Sequence, residues 1–202
     1  MSGQEGREGS EGPAAPDPVE AFVRSAALFG ETIAALGDRE WDRPTRPEGW
    51  TCVTTTAWVV VGDAQVPRAV AGETVSPPAG VDVGILGPHP VATWRGTALA
   101  AIEALRRPGA VTARFRVEGG EMVVGDLVGQ RVTDHLVRAW DIGEAVGRPV
   151  AIAPELAEWC LSFWSSHAAA VLAGGVLPDT PLEPPPDADP ATRLLALTGR
   201  RA

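Results

Sequence analysis

The chain has 202 residues, an apolar fraction of 45% and a net charge of −9, so it is long enough for one domain with a hydrophobic core. The acidic balance argues against nucleic-acid binding, which needs clustered Lys and Arg, and no apolar run approaches the roughly eighteen residues of a membrane-spanning helix. Lys, Asn and Tyr are absent, which indicates a GC-rich genome, such as that of an actinobacterium, and excludes lysine Schiff-base chemistry.

The beginning of the chain and the cysteines suggest a cytoplasmic protein. The first sixteen residues are rich in Gly, Glu and Pro and lack the basic start and apolar stretch of a signal peptide, so we predict a disordered tail over residues 1–16. Cys52 and Cys160 form no zinc-binding or redox spacing. Cys52 lies near a predicted helix start, where a thiolate would be stabilised, but a small buried thiol is the favoured interpretation.

Two helices are predicted in the first third of the chain. Asp17 can cap the first, which runs to about Leu36 with an apolar stripe at helical spacing. After a Pro-containing loop, the second runs from about Trp50 to Ala71. The predicted inner face of this second helix carries Trp50, Val53, Ala57, Val61 and Ala64, with Trp58 on the same side.

The rest of the chain alternates between helices and connections rich in Pro and Gly. A long loop over residues 73–90, of a kind that often borders a pocket, precedes a third helix from about Pro90 to Arg106. Residues 111–117 and 121–124 flank a Gly-Gly turn and are compatible with either a short β-hairpin or an extended loop. A fourth helix covers about Gly125 to Val146, and a fifth begins at Pro154.

These elements predict an all-α fold. We expect a helical bundle over residues 17–177, and then a Pro-rich linker and a short C-terminal helix over residues 178–202 that packs on the bundle. Bundles of this kind place functional groups in the core from facing helices.

Two sequence motifs resemble the DinB / mycothiol-dependent maleylpyruvate isomerase superfamily. Residues 47–53 (PEGWTCV) are similar to the family segment P-x-G-W-T-V-x-D-L-x-x-H, which leads into the second helix. Residues 134–147 (DHLVRAWDIGEAVG) are similar to the family helix D/E-x-x-x-H-x-W-D-L-A-x-A-x-G, and residues 187–200 fit an actinobacterial subfamily. The resemblance covers nearly all of residues 17–201 and implies a DinB-like four-helix bundle with an additional C-terminal helix.

The resemblance also implies a divalent metal site, for Zn or Ni, that would deprotonate a bound thiol such as mycothiol. Its ligands are a His on the second helix and an acid and a His at i and i+4 on the fourth. The corresponding positions here are Trp58, Asp134 and Arg138. An indole N–H cannot ligate a metal and a guanidinium repels one, so we expect the metal site to be lost and predict no cofactor.

The altered positions suggest a metal-free pocket. Asp134 and Arg138 fit an inward-facing i, i+4 ion pair, which we predict to be catalytic, while Trp58 and His135 are predicted to contact substrate. Asp134 would act as a base or an acid if burial raised its pKa, which a paired Arg138 would oppose. The structural alternative is that Trp58 fills the former metal cavity and the ion pair is only a bridge. Asp141 is expected to bond nearby backbone.

Three functions remain open at this point. The first is a metal-independent enzyme of isomerase or cyclase type, acting on a small apolar organic molecule in specialised metabolism. The second is a mycothiol-dependent, metal-binding S-transferase or isomerase, and the third is a non-catalytic small-molecule binding or resistance protein. No nucleic-acid or membrane partner is expected; members of the family are often dimers, so the resemblance leaves a homodimer open.

Overall fold

The computed structural model describes residues 16–76, 80–172 and 181–201, and these residues are mostly helical. They contain six α-helices and one two-stranded hairpin. In chain order the elements are α1 (Pro18–Ala34), α2 (Cys52–Val70), α3 (Pro90–Leu105), β1 (Arg114–Val117), β2 (Gly120–Val123), α4 (Val124–Val146), α5 (Pro154–Leu172) and α6 (Pro190–Leu197). Short 3₁₀ helices cover Val83–Leu86 and Ala110–Thr112. The prediction of an all-α fold is confirmed, and the hairpin decides between the two alternatives for residues 111–124.

The helix α1 begins and packs as its sequence predicts. The Asp17 carboxylate accepts hydrogen bonds from the backbone N–H groups of Val19 at 2.8 Å and Glu20 at 3.0 Å, which satisfies two of the free donors at a helix start. Its apolar stripe faces the core and is fully buried at Ala21, Phe22, Phe29 and Ile33.

The helix α2 is rotated relative to its predicted inner face. Ala57 is buried, but Ala64 is exposed, whereas Val59 and Asp63 have no exposed surface. The prediction was therefore wrong at Ala64. It assumed that the carboxylate of Asp63 would face solvent and so placed the neighbouring Ala64 on the inner face. Asp63 can be buried because polar partners from α4 satisfy it.

Four helices pack around one shared core. Each of α1 and α2 contacts both α3 and α4, and α6 packs on α5 beside them. The largest fully buried side chains come from several elements and include Trp164, Phe22, Phe29 and Phe115. The residues that face one another from α2 and α4 therefore lie inside the molecule, which is where a bundle places functional groups. None of the described helices is long and apolar enough to cross a membrane.

The hairpin and the C-terminal helix complete the fold. The strands pair antiparallel, with Arg114 opposite Val123, and Phe115 points into the core. Gly119 adopts φ 84° in the connecting turn, a conformation that favours glycine. Pro16 is buried, and the rest of the predicted tail lies outside the described residues, as do residues 173–180, which include the end of the predicted bundle and the start of the linker.

Two glycines inside helices provide a matched test of this packing. A Cβ on Gly30 of α1 would overlap the ring of Trp94, which is buried, so Gly30→Ala should destabilise the fold by roughly 1–3 kcal/mol. A Cβ on Gly96 of α3 would meet nothing within 4 Å, so Gly96→Ala should stabilise by up to about 1 kcal/mol through helix propensity. Urea unfolding of dilute protein measures both changes, and equal effects of the two substitutions would contradict this packing.

Candidate functional site

The structure brings the predicted residues Trp58, Asp134 and Arg138 together between α2 and α4. The Trp58 indole Nε1–H donates a hydrogen bond of 3.2 Å to Oδ2 of Asp134. Arg138 lies one turn further along α4, with its Nε 3.7 Å from Oδ1 of the same carboxylate. This separation is an ion-pair distance but too long for a hydrogen bond. The three residues form one cluster, but the Asp134–Arg138 contact is weaker than the pattern suggested.

The main partner of Asp134 is Arg131, which the sequence analysis did not identify. The Arg131 Nη2–H donates to Oδ2 of Asp134 from one turn earlier on α4, and Arg131 Nε lies 3.6 Å from Oδ1 of Asp63 on α2. Only 7% of the Arg131 side chain is exposed. A Cβ on Gly62 would overlap the Arg131 guanidinium, so a glycine at this position of α2 leaves the space that the guanidinium fills.

Deeper in the core, Asp63 binds His135. Both oxygens of Asp63 lie 3.0 Å from His135 Nε2, and Nδ1 on the other side of the ring lies 3.0 Å from the Ser25 hydroxyl of α1. All three side chains are fully buried. The hydrogen bonds therefore run from α1 through α4 to α2. His135 points away from Asp134, as its position about 100° round the helix implies, and it does not reach the surface.

At the other end of the cluster, Arg138 binds the loop before α2 and Asp141, and Asp141 in turn binds the C-terminal segment. The Nη1 of Arg138 donates to Asp141 at 3.1 Å and to the backbone carbonyl of Arg46 at 3.2 Å. Asp141 also accepts two hydrogen bonds from Arg200, at 3.1 and 2.8 Å. Asp141 was expected to bond nearby backbone, but the hydrogen bonds that the structure describes for its carboxylate come from two guanidinium groups, those of Arg138 and Arg200.

An aromatic surface borders the cluster on its outer side. The guanidinium carbon of Arg138 lies 5.2 Å from the centre of the Trp50 ring, within the range of a cation–π contact. The Trp50 and Trp58 rings are 5.4 Å apart and tilted. Both indoles are half-buried, so their remaining surface is available next to the polar groups of Asp134 and Arg138.

The ionisation of Asp134 follows from its neighbours. Burial acts to raise the pKa of the Asp134 carboxyl, but the guanidinium groups of Arg131 and Arg138, together with the Trp58 hydrogen bond, outweigh it and hold the pKa below its usual range. Of the two roles that the sequence left open for Asp134, base or acid, the environment favours the ionised form, which accepts protons and does not supply them.

The residues present do not fit a metal ion at this position. Among the described residues, no three His, Cys, Asp or Glu side chains lie close enough together to hold one. Asp134 is the one carboxylate among the three expected ligand positions, and its oxygens already accept bonds from Trp58 and Arg131.

The cysteines and the other predicted loop lie apart from this cluster. Burial raises the pKa of the Cys52 thiol to about 11 and that of Cys160 to about 12, so both stay protonated at neutral pH, in agreement with small buried thiols. The end of the loop over residues 73–90 borders a shallow surface concavity, lined in part by Trp41, His89 and Arg95, and its lining includes no residue of the cluster.

The residues that sequence reasoning missed differ in how visible they were. Asp63 interrupts an apolar stretch of α2, and such an isolated acid is a signal for a buried polar contact. Arg131 lies three residues before Asp134 and could have been paired with it on the helix surface. Arg200 is separated from Asp141 by 59 positions, and nothing local connects the two.

The free energy of unfolding at acidic pH tests the ionisation of Asp134. A carboxyl whose folded pKa is lowered stabilises the fold fully above its unfolded value, about 3.9, and this contribution is lost as the pH falls through the folded pKa. We expect Asp134→Asn to be less stable than the unsubstituted protein at neutral pH and the two to converge below about pH 4. Urea unfolding at several pH values measures this, and a difference that does not depend on pH would contradict it.

Comparison with known proteins identifies relatives over nearly the whole chain. Two proteins of Mycobacterium tuberculosis, named Uncharacterized protein Rv0738 (strain H37Rv) and Uncharacterized protein MT0763 (strain CDC 1551), are each 31% identical to it over 185 residues, which cover 91% of this chain and 98% of the relative. No family model matches the chain. No solved structure matches it either. At this identity and coverage, the chain belongs to the same protein family as these two mycobacterial proteins.

Proposed function

We propose that this protein is a metal-independent enzyme of isomerase or cyclase type that acts on a small, largely apolar organic molecule, on a scaffold of the DinB / mycothiol-dependent maleylpyruvate isomerase superfamily. Two features support the scaffold. Residues 47–53 lead into α2 and residues 134–147 lie on α4 and its end, where the resemblance expects them. Four helices share one core, with α6 packed at its side.

One observation carries the proposed activity, namely a carboxylate that is ionised, fixed and accessible at once. The Asp134 side chain is 18% exposed, while Trp58 and Arg131 hold its Oδ2 in place. A fixed carboxylate next to solvent needs little reorganisation when it meets a substrate. The half-buried faces of Trp50 and Trp58 provide the apolar surface against which a small molecule would lie.

The chemistry that such a site supports is a proton shift. The Asp134 carboxylate would take a proton from a carbon next to a carbonyl and return it at another carbon, so the substrate and product have the same composition. The guanidinium of Arg138 would stabilise the negative charge on the carbonyl oxygen in between. The Arg138 side chain is 11% exposed, and its Nε–H, which is buried beside Asp134, has no hydrogen-bond partner among the described residues. The lowered pKa makes Asp134 a weak base, which suits substrates with acidic C–H bonds.

A non-catalytic small-molecule binding protein is the second candidate, and one observation favours it. Each carboxylate of the cluster (Asp63, Asp134 and Asp141) has at least one arginine as an ion-pair partner. A cluster whose charges are balanced in this way is stable without doing chemistry. The thiol-dependent reading has less support, because Trp58 and Arg138 stand where the resemblance implies metal ligands.

An assay for isomer formation distinguishes the proposed enzyme from a small-molecule binding protein. We propose to incubate the protein with a panel of small apolar ketones and enones and to search for products of unchanged mass and altered retention by chromatography and mass spectrometry. Asp134→Asn should lower turnover by about a hundredfold or more while the change of tryptophan fluorescence on binding is retained. Asp42→Asn, at an exposed carboxylate, is the matched control. If the unsubstituted protein shows the fluorescence change but no turnover, and Asp134→Asn abolishes that change, the binding protein is favoured.

Elemental analysis tests independence from metal. Tag-free protein, purified with and without added zinc and nickel, should contain far less than one equivalent of either metal, because the expected ligand positions carry Trp58 and Arg138. Turnover should also be unchanged by a chelator. Near-stoichiometric metal that resists dialysis would contradict the proposal and favour the thiol-dependent reading.

A further inference from the structure

The surface concavity beside the start of α3 has the size of a small-molecule site. Its volume is about 390 Å³, within the range of roughly 300–1,000 Å³ that such sites occupy. The end of the loop over residues 73–90 forms part of it, as expected of a long loop that borders a pocket. Most of the lining residues are apolar: Leu36, Trp41, Pro88, Pro90, Val91 and Ala92.

One wall of the concavity is the loop after α1, which is held in a fixed position. Arg148 donates hydrogen bonds of 2.9 and 2.8 Å to Glu40 and one of 3.1 Å to the backbone carbonyl of Ala35. These bonds clamp the loop that carries Leu36 and Trp41, whose half-buried side chains pack against the hydrophobic core. A ligand would therefore meet a preformed surface, and binding would cost little ordering of the protein.

A second wall is the segment that enters α3, and it is stiff as well. Pro88 and Pro90 flank His89, and each proline ring fixes its own φ near about −65°. The Thr93 hydroxyl donates a hydrogen bond of 2.7 Å to the carbonyl of Leu86, which ties this segment to the helix. The His89 imidazole makes no capping hydrogen bond at the start of α3, so its ring nitrogens are available to a ligand.

The charge of the concavity comes from Arg95. This guanidinium takes part in no ion pair within the described part of the chain, and no acidic residue lines the concavity. A lone cation in an acid-free hollow is notable in a chain of net charge −9. Its planar fork of N–H donors matches the two oxygens of a carboxylate.

We propose that this concavity is a binding site for a small aromatic carboxylate. The ring of the ligand lies against the Trp41 indole, its carboxylate binds the guanidinium of Arg95, and His89 adds a hydrogen bond. This site is independent of the proposed enzymatic activity, because no residue of the Asp134 cluster lines it.

The lining favours this class of ligand over other anions. An inorganic anion such as phosphate is strongly hydrated and would gain nothing from the apolar walls that surround the single guanidinium. A carboxylate on a planar ring places one charge beside Arg95 and buries its apolar part. The flat faces of the Trp41 indole and of the two prolines suit a planar ring better than a branched aliphatic chain.

Calorimetric titration of the full chain with 1-naphthoate, and with the neutral 1-naphthamide of the same shape, tests the site. The naphthoate should bind saturably and more tightly than the amide. Arg95→Gln should weaken naphthoate binding by roughly fivefold or more and leave amide binding nearly unchanged, because it removes only the charged contact. Trp41→Leu should weaken both ligands. Arg106→Gln, at an exposed position at the end of α3 outside the concavity, is the matched control.

Two outcomes would overturn the proposal. The unsubstituted protein could show no saturable binding of naphthoate at millimolar concentration, or it could bind naphthoate with an affinity that Arg95→Gln does not change. Asp134→Asn should bind naphthoate like the unsubstituted protein, so the result does not depend on the proposed enzymatic activity. Arg95 is exposed and its replacement breaks no described ion pair, so this variant decides the question even if Trp41→Leu folds poorly.

Discussion

The buried ion pairing of Asp63 and Asp134 with Arg131 is the constraint on which the centre of this fold depends. A charge removed from water is expensive unless it is paired and hydrogen-bonded, so these side chains are tolerated only together. Arg131 lies between a carboxylate of α2 and one of its own helix, and it reaches both because residue 62 is a glycine. A guanidinium therefore fills the space that Gly62 leaves between α2 and α4, in a core where charged side chains are rare unless they are paired.

From this constraint the polar contacts continue in two directions. Inward, Asp63 fixes His135, and His135 contacts Ser25, so α1 is tied to the same network. Outward, Asp134 lies beside Arg138, whose other contacts reach Arg46, Asp141 and, through Asp141, Arg200 at the end of the chain. The inner members are sealed from solvent and hold three helices in register. The outer members keep some exposure and join the loop before α2 to the segment after α6.

The sequence predicted the helices well and the polar network poorly, for physical reasons. Helix ends are specified locally, by Asp17 at the start of α1 and Gly147 after α4, so their bounds were found to within a few residues. The cluster of Trp58, Asp134 and Arg138 was found because the resemblance assigns these positions of α2 and α4 to one site. The roles of Arg131 and Asp63 were missed, because periodicity assigns charged residues to the solvent side and cannot state which buried charge meets which partner.

The division between inner and outer members also limits where chemistry can occur. The Asp63–His135–Ser25 set contains the residue types of a nucleophilic triad, yet all three side chains are fully buried and no substrate could reach the hydroxyl without separating α1 from α4. Asp134 differs from these three residues. The buried network orients its side chain through Arg131, and because Asp134 lies at the edge of the network, part of the side chain is exposed to solvent. An ionised carboxylate held by a rigid interior and bordered by two indoles has the arrangement that a preorganised site requires, whereas the interior itself serves to hold it there.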